Sequence, residues 1–255
     1  MKEVCMYCQT EIEREIQWLD IFSFNDVCSN DGLCVHCQKL FKPYYFTDKQ
    51  CVACGRPLLE TSTYNKAYII NGLPYCSDCY RWKQQYPQID IHNVALLVYD
   101  ALLSEWFYRY KYIGDCRLGV MMRSYLKIIY EKYREWCWVT LPSNPNTFKD
   151  RQFHPTMTLL DCAHIPYQQI FEYVGDGEKQ ATKGRKERML LRQPFCMYTD
   201  IPNSMNGILV FDDVYTTGAT LMCARLAILD YYQRKNDVAP PVQTLTLARD
   251  LNLKE

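Results

Sequence analysis

The chain carries four Cys-x-x-Cys pairs, all of them before residue 80. Two residues between two thiolates let both sulfurs converge on one metal ion through a tight turn, and two such pairs close a tetrahedral four-sulfur site. Four pairs therefore predict two metal sites. The eight predicted ligands are Cys5, Cys8, Cys34, Cys37, Cys51, Cys54, Cys76 and Cys79.

Pairing in chain order puts the first four of these cysteines in one site and the last four in the other; an interleaved cross-brace is the alternative. Sulfur fills every position and leaves no place for a substrate water, so we expect two structural Zn²⁺ ions. Cys28 and His36 are expected not to bind metal, although either could replace a neighbouring ligand. Redox chemistry is the competing interpretation, but redox Cys-x-x-Cys motifs normally occur singly. With little apolar core of its own, this segment should need zinc to fold.

A second informative segment, Ile208 to Thr220, joins an apolar run, two acids and a Thr/Gly turn. The apolar run predicts a buried strand of a parallel sheet, and the apolar spacing of residues 221–232 predicts a helix behind it. Open α/β sheets bind ligands at such turns. Adjacent carboxylates suit hydroxyls or a hydrated Mg²⁺, and the turn suits a phosphate. An acidic turn before an N-capped helix is the structural alternative. The predicted binding residues are Asp212, Asp213, Thr216, Thr217, Gly218 and Thr220.

From residue 91 onward, strand-like runs alternate with helical runs, which predicts an α/β fold with a parallel-rich sheet and helices on both faces. We therefore expect two domains, a small Cys-rich zinc-ribbon domain at 1–90 and the α/β domain at 91–255. The predicted strands are Val94–Tyr99, Val139–Pro142, Gly207–Phe211 and Val242–Ala248, and the predicted helices are Leu103–Tyr112, Leu118–Trp136, Pro155–His164 and Leu221–Lys235.

The chain has 29 basic and 29 acidic side chains, so nucleic-acid binding would have to come from local patches. Basic side chains bunch at 105–134, where they interleave with aromatic rings, and again at 178–192. Cations that track phosphates and rings that stack on bases are typical of a groove for single-stranded DNA. A solvated helix face with a buried stripe of rings is the alternative. The predicted phosphate contacts are Arg109, Lys111, Lys183, Arg185 and Lys186, with stacking by some of the rings at 106–112.

The sequence also bears on location. It opens without the apolar segment of a signal peptide, and its longest apolar stretch, residues 94–103, is far shorter than a membrane span. Paired cysteines without a secretory signal favour metal over disulfides. We therefore expect a cytoplasmic protein with no transmembrane segment.

The segment Ile208 to Thr220 resembles the phosphoribosyl-pyrophosphate (PRPP) loop of the type I phosphoribosyltransferases. The resemblance implies the fold of that family for the α/β domain. It also implies that Asp212 and Asp213 contact the ribose 2′ and 3′ hydroxyls of PRPP or ribose 5-phosphate, and that the turn Thr216 to Thr220 holds the 5′-phosphate.

Further segments occur in the order seen in ComF-family competence proteins, and together with the cysteine pairs they cover nearly the whole chain. They are Tyr99–Asp115, Leu141–Pro145, Asp150–His154 and Gln180–Arg188. This resemblance implies a double zinc ribbon, a pyrophosphate-binding loop at Leu141, Pro142 and Ser143, and cations from Arg151 and from residues 183–188. The family usually has Arg-Gly-Phe-Asn-Gln where this chain has Arg-Gln-Phe-His-Pro at 151–155.

The ComF resemblance also implies a function: uptake of single-stranded transforming DNA with a ComFA-like DNA translocase or helicase, at the inner face of the cell membrane. Our leading hypothesis is a DNA-uptake protein that binds single-stranded DNA and has a PRPP-type pocket. The alternative is an active phosphoribosyltransferase that uses PRPP and Mg²⁺ on a base or amine acceptor. A third is a zinc-ribbon regulator that keeps only the pocket.

Overall fold

The computed structural model describes residues 4–12, 32–58, 66–175 and 193–251. The Cys-rich part contains α1 (Val35–Gln38), β1 (Tyr68–Ile70), β2 (Leu73–Tyr75) and α2 (Ser77–Gln85). The α/β part contains β3 (Asn93–Val98), α3 (Ala101–Tyr108), α4 (Arg123–Lys132), β4 (Cys137–Thr140), α5 (Pro145–Arg151), α6 (Pro155–Ala163), β5 (Phe171–Tyr173), β6 (Phe195–Met197), β7 (Ile208–Tyr215), α7 (Ala219–Arg234) and β8 (Val242–Arg249). A π-helical turn (Arg109–Ile113) follows α3, and a 3-10 segment (Cys116–Met122) precedes α4.

The central sheet has four strands in the order β3-β8-β7-β4, and all three pairs are parallel. The predicted α/β class with a parallel sheet is therefore confirmed. Strand β7 pairs on both sides, which explains its uninterrupted apolar run. Its side chains alternate between the faces, since Leu209 and Phe211 enter one hydrophobic cluster and Ile208 and Val210 enter the other.

Helices cover both faces of this sheet. The cluster on one face takes its apolar side chains from α3, α4 and α6, including Trp106, Leu126 and Leu160. The cluster on the opposite face takes them from α7, including Ala224 and Ile228. Burial of these apolar stripes against the sheet is the main driving force for the fold.

The Cys-rich part packs directly on the α/β part. Pro43 forms an antiparallel bridge to Leu97, and the Tyr44 N–H donates to the Leu96 carbonyl at 2.8 Å, so this stretch covers the free edge of β3. The cluster with Trp106 contains Cys5, and the cluster with Ile228 contains Cys51. Each group of cysteines thus lies against a different face of the same sheet.

Several element boundaries differ from the sequence-based expectations. The helix expected at 118–136 begins as a 3-10 segment, becomes α4 at Arg123 and ends at Lys132. The strand expected to end at Phe211 continues to Tyr215, because β8 pairs with it over its whole length. Helix α5 and the antiparallel pair β5–β6 were not expected; each is short and lacks a clear hydrophobic period.

None of the helices within the described ranges has the length and apolar character needed to cross a membrane.

Candidate functional site

Two groups of four cysteines form in the chain order that the sequence favours. Cys5, Cys8, Cys34 and Cys37 make the first four-cysteine group, and Cys51, Cys54, Cys76 and Cys79 make the second; within each, the sulfurs lie within 4.8 Å of one another. The sulfurs of Cys8 and Cys34 lie 3.7 Å apart, as do those of Cys54 and Cys76. A zinc tetrahedron with Zn–S bonds of about 2.3 Å has sulfur–sulfur edges of about 3.8 Å, so both groups fit zinc.

The surroundings of the two groups differ. In the first, hydrogen bonds from the hydroxyl and backbone of Thr10 lower the pKa of Cys8 to about 6, which favours the thiolate that a metal requires. His36 is exposed and outside both groups, and Cys28 lies outside the described residues. The second group is fully buried and lies beneath the turn between β7 and α7.

The two predicted carboxylates lie just past the point where β4 ends and its neighbour β7 continues; we call this place the step beyond β4. Strand β4 ends at Thr140, opposite Phe211, whereas β7 continues through Asp212 and Asp213. The segment that follows Thr140 therefore leaves the sheet at the level of the acids. Because β4 no longer covers this side of β7, residues Asp212 and Asp213 are partly exposed while the preceding four residues are buried. The Asp213 side chain keeps contact with water, whereas the Asp212 carboxyl group lies deeper.

Opposed electrostatic effects act on the acid pair. Lys111 forms a close ion pair with Asp213, and the Asp213 N–H donates to the Asp212 carboxylate at 2.8 Å. Burial raises the pKa of Asp212 to about 7, and the charge of Asp213 adds to this rise, while the Asp213 N–H and Lys111 oppose it. Like charges this close ionise together only when a cation or hydroxyls compensate them.

The turn at 216–220 has the backbone that a phosphate loop needs. Gly218 has φ +80° and is the N-cap of α7. A Cβ at this position would overlap the Tyr215 hydroxyl, and the positive φ also disfavours any side chain, so only glycine fits. Thr216 and Thr220 are partly exposed, but Thr217 is buried and its hydroxyl accepts the Ala219 N–H at 3.4 Å. The hydroxyl of Thr217 therefore caps α7 in this conformation.

The predicted pyrophosphate loop is held by a residue that departs from the family pattern. The His154 Nδ1 lies 3.1 Å from the Ser143 hydroxyl, and the His154 ring stacks on Phe148 at 4.4 Å. Leu141 is buried, whereas Pro142 and Ser143 are partly exposed beside the step. Burial lowers the pKa of His154, so this contact is made by a neutral ring.

The predicted DNA-binding cations do not lie together in the structure. Lys111 lies at the acid pair, and Arg151 donates to the Lys111 carbonyl at 3.0 Å. Arg109 lies elsewhere: its guanidinium is 4.7 Å from the Tyr7 ring centroid, beside the first four-cysteine group. The cations predicted at Lys183, Arg185 and Lys186 lie outside the described residues.

The aromatic run divides into a buried and an exposed face. Trp106, Phe107 and Tyr110 are buried in the core. Tyr108 and Tyr112 are 52% and 69% exposed, and their rings stack on each other with centroids 6.0 Å apart. The Arg151 guanidinium lies 5.9 Å from the Tyr112 centroid.

Three contacts to the turn were not expected from the sequence. Trp82, Arg56 and Arg249 all donate to its backbone carbonyls from the side of the second four-cysteine group. Arg56 also forms a buried ion pair with Asp78 at 3.2 Å. This pair had a local signal in the sequence, because each of its members lies within two residues of a predicted ligand. Arg249 is the last residue of an apolar strand, and its partners on the turn lie more than 30 positions away.

Fold and site together define a class of protein: an α/β protein with a parallel sheet, an acid pair and Thr/Gly turn at the end of a central strand, and two four-cysteine groups in front. The chain is 27% identical to competence protein ComFC of Streptococcus pneumoniae (strain ATCC BAA-255 / R6) over 217 residues, which are 85% of this chain and 89% of that protein. It is 24% identical to competence protein ComFC of Bacillus subtilis (strain 168), over 97% of this chain and 95% of that one.

These similarities confirm the resemblance expected from the sequence and support a ComFC-like competence protein. No model of a protein family matches the chain.

The first prediction concerns metal content. Full-length protein purified without chelator should contain two zinc ions per chain, because each four-cysteine group has tetrahedral dimensions. The double variants Cys5→Ser/Cys8→Ser and Cys76→Ser/Cys79→Ser should each retain one. Elemental analysis measures this; one ion in the wild type, or none, would contradict the assignment.

A second prediction concerns Asp212 and pH. A carboxyl whose pKa is raised in the folded state stays protonated while its unfolded counterpart ionises, so the fold loses stability as the pH rises from about 4 to about 7. Asp212→Asn should remove this loss, about 1 kcal/mol per pH unit. Urea unfolding at pH 5, 6 and 7 measures the difference between wild type and variant, and zinc effects common to both cancel. A pH-independent difference would refute the raised pKa.

Proposed function

We propose that this ComFC-like protein binds single-stranded DNA during its uptake, together with a DNA translocase, and holds a phosphorylated ribose at the carboxyl end of β7. The observation that carries the proposal is the step beyond β4. There one strand presents Asp212 and Asp213 beside the loop Leu141 to Ser143 and then enters the turn Thr216 to Thr220.

The chemistry of the pocket fits PRPP or ribose 5-phosphate with Mg²⁺. Carboxylates accept hydrogen bonds from ribose hydroxyls, and the start of α7 favours an anion. Asp212 and Asp213 are the residues that would hold Mg²⁺, since carboxylate oxygen is its preferred protein ligand. When bound, Mg²⁺ neutralises pyrophosphate charge. Lys111 adds a cation at the acid pair, which favours a ligand that carries both hydroxyls and phosphates.

The exposed tyrosines next to this pocket support the DNA-binding part of the proposal. Two stacked rings in water are a ready platform for a base, because every base has a flat apolar face. Tyr112 follows Lys111 directly and lies beside Arg151, so the platform has a cation at its edge. A single strand exposes its bases to such rings, whereas a duplex hides them.

A third prediction tests the pocket. In Asp212→Asn/Asp213→Asn, the Mg²⁺-dependent affinity for PRPP should fall about tenfold or more, which corresponds to about 1.4 kcal/mol, because charge is removed while shape is kept. Isothermal titration calorimetry of the full chain measures it.

The matched control for this test is Asp230→Asn/Asp237→Asn. It removes the same charge, in part from an exposed Asp230–Arg234 ion pair far along α7, and should leave the affinity unchanged. Equal affinity in both double variants would place the ligand elsewhere. Pyrophosphate release in the presence of base or amine acceptors would favour the alternative function, an active transferase that uses the same pocket.

A fourth prediction tests the platform. Tyr108→Ala/Tyr112→Ala should weaken binding of a single-stranded oligonucleotide about tenfold, since base–aromatic stacking contributes about 1–3 kcal/mol per base. Because both rings are exposed, the fold should remain intact, and the salt dependence of binding should not change. Fluorescence anisotropy at several salt concentrations measures both quantities.

Tyr45→Ala is the control, since this side chain is 73% exposed in the Cys-rich part. A loss of affinity in Tyr45→Ala but not in the double variant would move the contact to the zinc ribbons, and undiminished binding in both would reject stacking by these rings.

A further inference from the structure

We call the turn Thr216 to Thr220 the phosphate turn. Side chains from the Cys-rich part and from β8 hold its first residues by hydrogen bonds to their backbone carbonyls. Arg249 donates to the Tyr215 and Thr216 carbonyls at 2.6 and 3.0 Å, and Arg56 donates to the Thr216 carbonyl at 3.3 Å. The indole N–H of Trp82 donates to the Thr217 carbonyl at 2.7 Å. Three successive carbonyls therefore point toward the second four-cysteine group.

This orientation fixes where the amides point. In a planar trans peptide the carbonyl of one residue and the N–H of the next point in opposite directions, and none of the described peptide bonds is cis. The N–H groups of Thr216, Thr217 and Gly218 therefore point away from the cysteines, toward the side where a phosphate would lie. Successive amides that point the same way form an anion-binding nest.

The donors are themselves tied to the cysteines. Arg249 Nε donates to the Cys54 carbonyl at 3.1 Å, and its Nη2 lies 3.3 Å from the Cys54 sulfur. Its other bonds go to backbone carbonyls, so among the described residues its charge partner is the Cys54 thiolate. Trp82 follows Cys79 on α2, and the Cys79 sulfur lies 3.7 Å from the Tyr215 hydroxyl.

We propose that Arg249 and Trp82 are positioning residues that couple metal in the second four-cysteine group to the amides of the phosphate turn. A four-thiolate zinc site carries excess negative charge, which stabilises the buried guanidinium at the place where it holds Tyr215 and Thr216. Loss of the metal leaves the buried Arg249 guanidinium without its charge partner. The turn then loses the hydrogen bonds that Arg249 and Trp82 donate to its carbonyls. The zinc ribbon would thus control ligand binding in the pocket. This inference rests on the function proposed above.

The first four-cysteine group offers a contrast. It lies on the other face of the sheet, where Arg109 donates to the Tyr7 carbonyl and Cys5 packs in the cluster that contains Trp106. Trp106 in that cluster also donates its indole N–H to a buried carbonyl, that of Leu118 at 3.3 Å. Trp106→Phe therefore removes the same kind of hydrogen bond as Trp82→Phe without touching the turn.

The test compares four variants of the full-length zinc-bound protein, Trp82→Phe, Arg249→Met, Arg249→Lys and Trp106→Phe. Three quantities are measured for each: amide hydrogen exchange at residues 216–218, zinc release during titration with a chelator, and calorimetric affinity for PRPP with Mg²⁺. Trp82→Phe keeps every charge and ligand, so it reports on the turn even where an Arg249 variant fails to fold.

We expect Trp82→Phe to retain two zinc ions while exchange at 216–218 accelerates about tenfold and PRPP affinity falls about tenfold. Arg249→Met should do the same and also release one zinc ion at a lower chelator concentration. Compared with Arg249→Met, Arg249→Lys should restore zinc retention more than it restores protection of the 216–218 amides from exchange. An ammonium keeps the charge but lacks the several N–H donors of a guanidinium. Trp106→Phe should change neither the exchange at 216–218 nor the PRPP affinity, and it should leave zinc release from the second group unchanged.

Exchange in Trp82→Phe and Arg249→Met equal to that in Trp106→Phe would overturn the coupling. So would unchanged release of both zinc ions from Arg249→Met, since the link to Cys54 would then be absent. A wild-type protein that binds no PRPP would refute the proposed pocket instead, and the exchange and chelator measurements would still decide the coupling.

Discussion

The buried guanidinium of Arg249 is the constraint on which the rest of this structure depends. Moving such a cation out of water costs several kcal/mol unless charge and hydrogen bonds compensate it. Here the compensation comes from three directions at once, namely the Cys54 sulfur, the carbonyls of Tyr215 and Thr216, and the Asp250 carbonyl. Sheet end, turn and second cysteine group must therefore assemble together, in agreement with the hydrophobic cluster that these cysteines share with the sheet.

The accessibility of the acid pair follows from unequal strand lengths. Parallel strands that all ended at the same level would cover Asp212 on both sides and leave it without access to a ligand. Because β4 stops opposite Phe211, the next residues of β7 open on one side while β8 still pairs with them on the other. The same pairing with β8 brings Arg249 level with Tyr215. Register thus places the partly exposed acids of β7 and the buried Arg249 of β8 at the same end of the sheet.

The sequence predicted those features that depend on local spacing. Four Cys-x-x-Cys pairs specify two groups because each pair already brings two sulfurs together, and chain order was enough to assign them. The run Ile208 to Phe211 specified a central strand because a surface strand would alternate. Contacts between distant segments could not be predicted this way. Lys111 and Asp213 are 102 positions apart, and the local sequence around one residue gives no indication that it contacts the other.

The aromatic run shows most clearly where a periodic pattern stops being informative. Residues 106, 107, 108, 110 and 112 put rings on every side of a helix, so hydrophobicity alone does not choose the buried face. For Tyr110 and Tyr112 the orientation is set in the π-helical turn Arg109–Ile113, which alters the rotation between successive residues. Tyr110 turns into the core, Lys111 turns toward Asp213, and Tyr112 remains in water beside Tyr108. One turn of backbone therefore joins the acid pair to the exposed rings, so a ligand that displaced Lys111 from Asp213 would act directly on the segment that carries Tyr112.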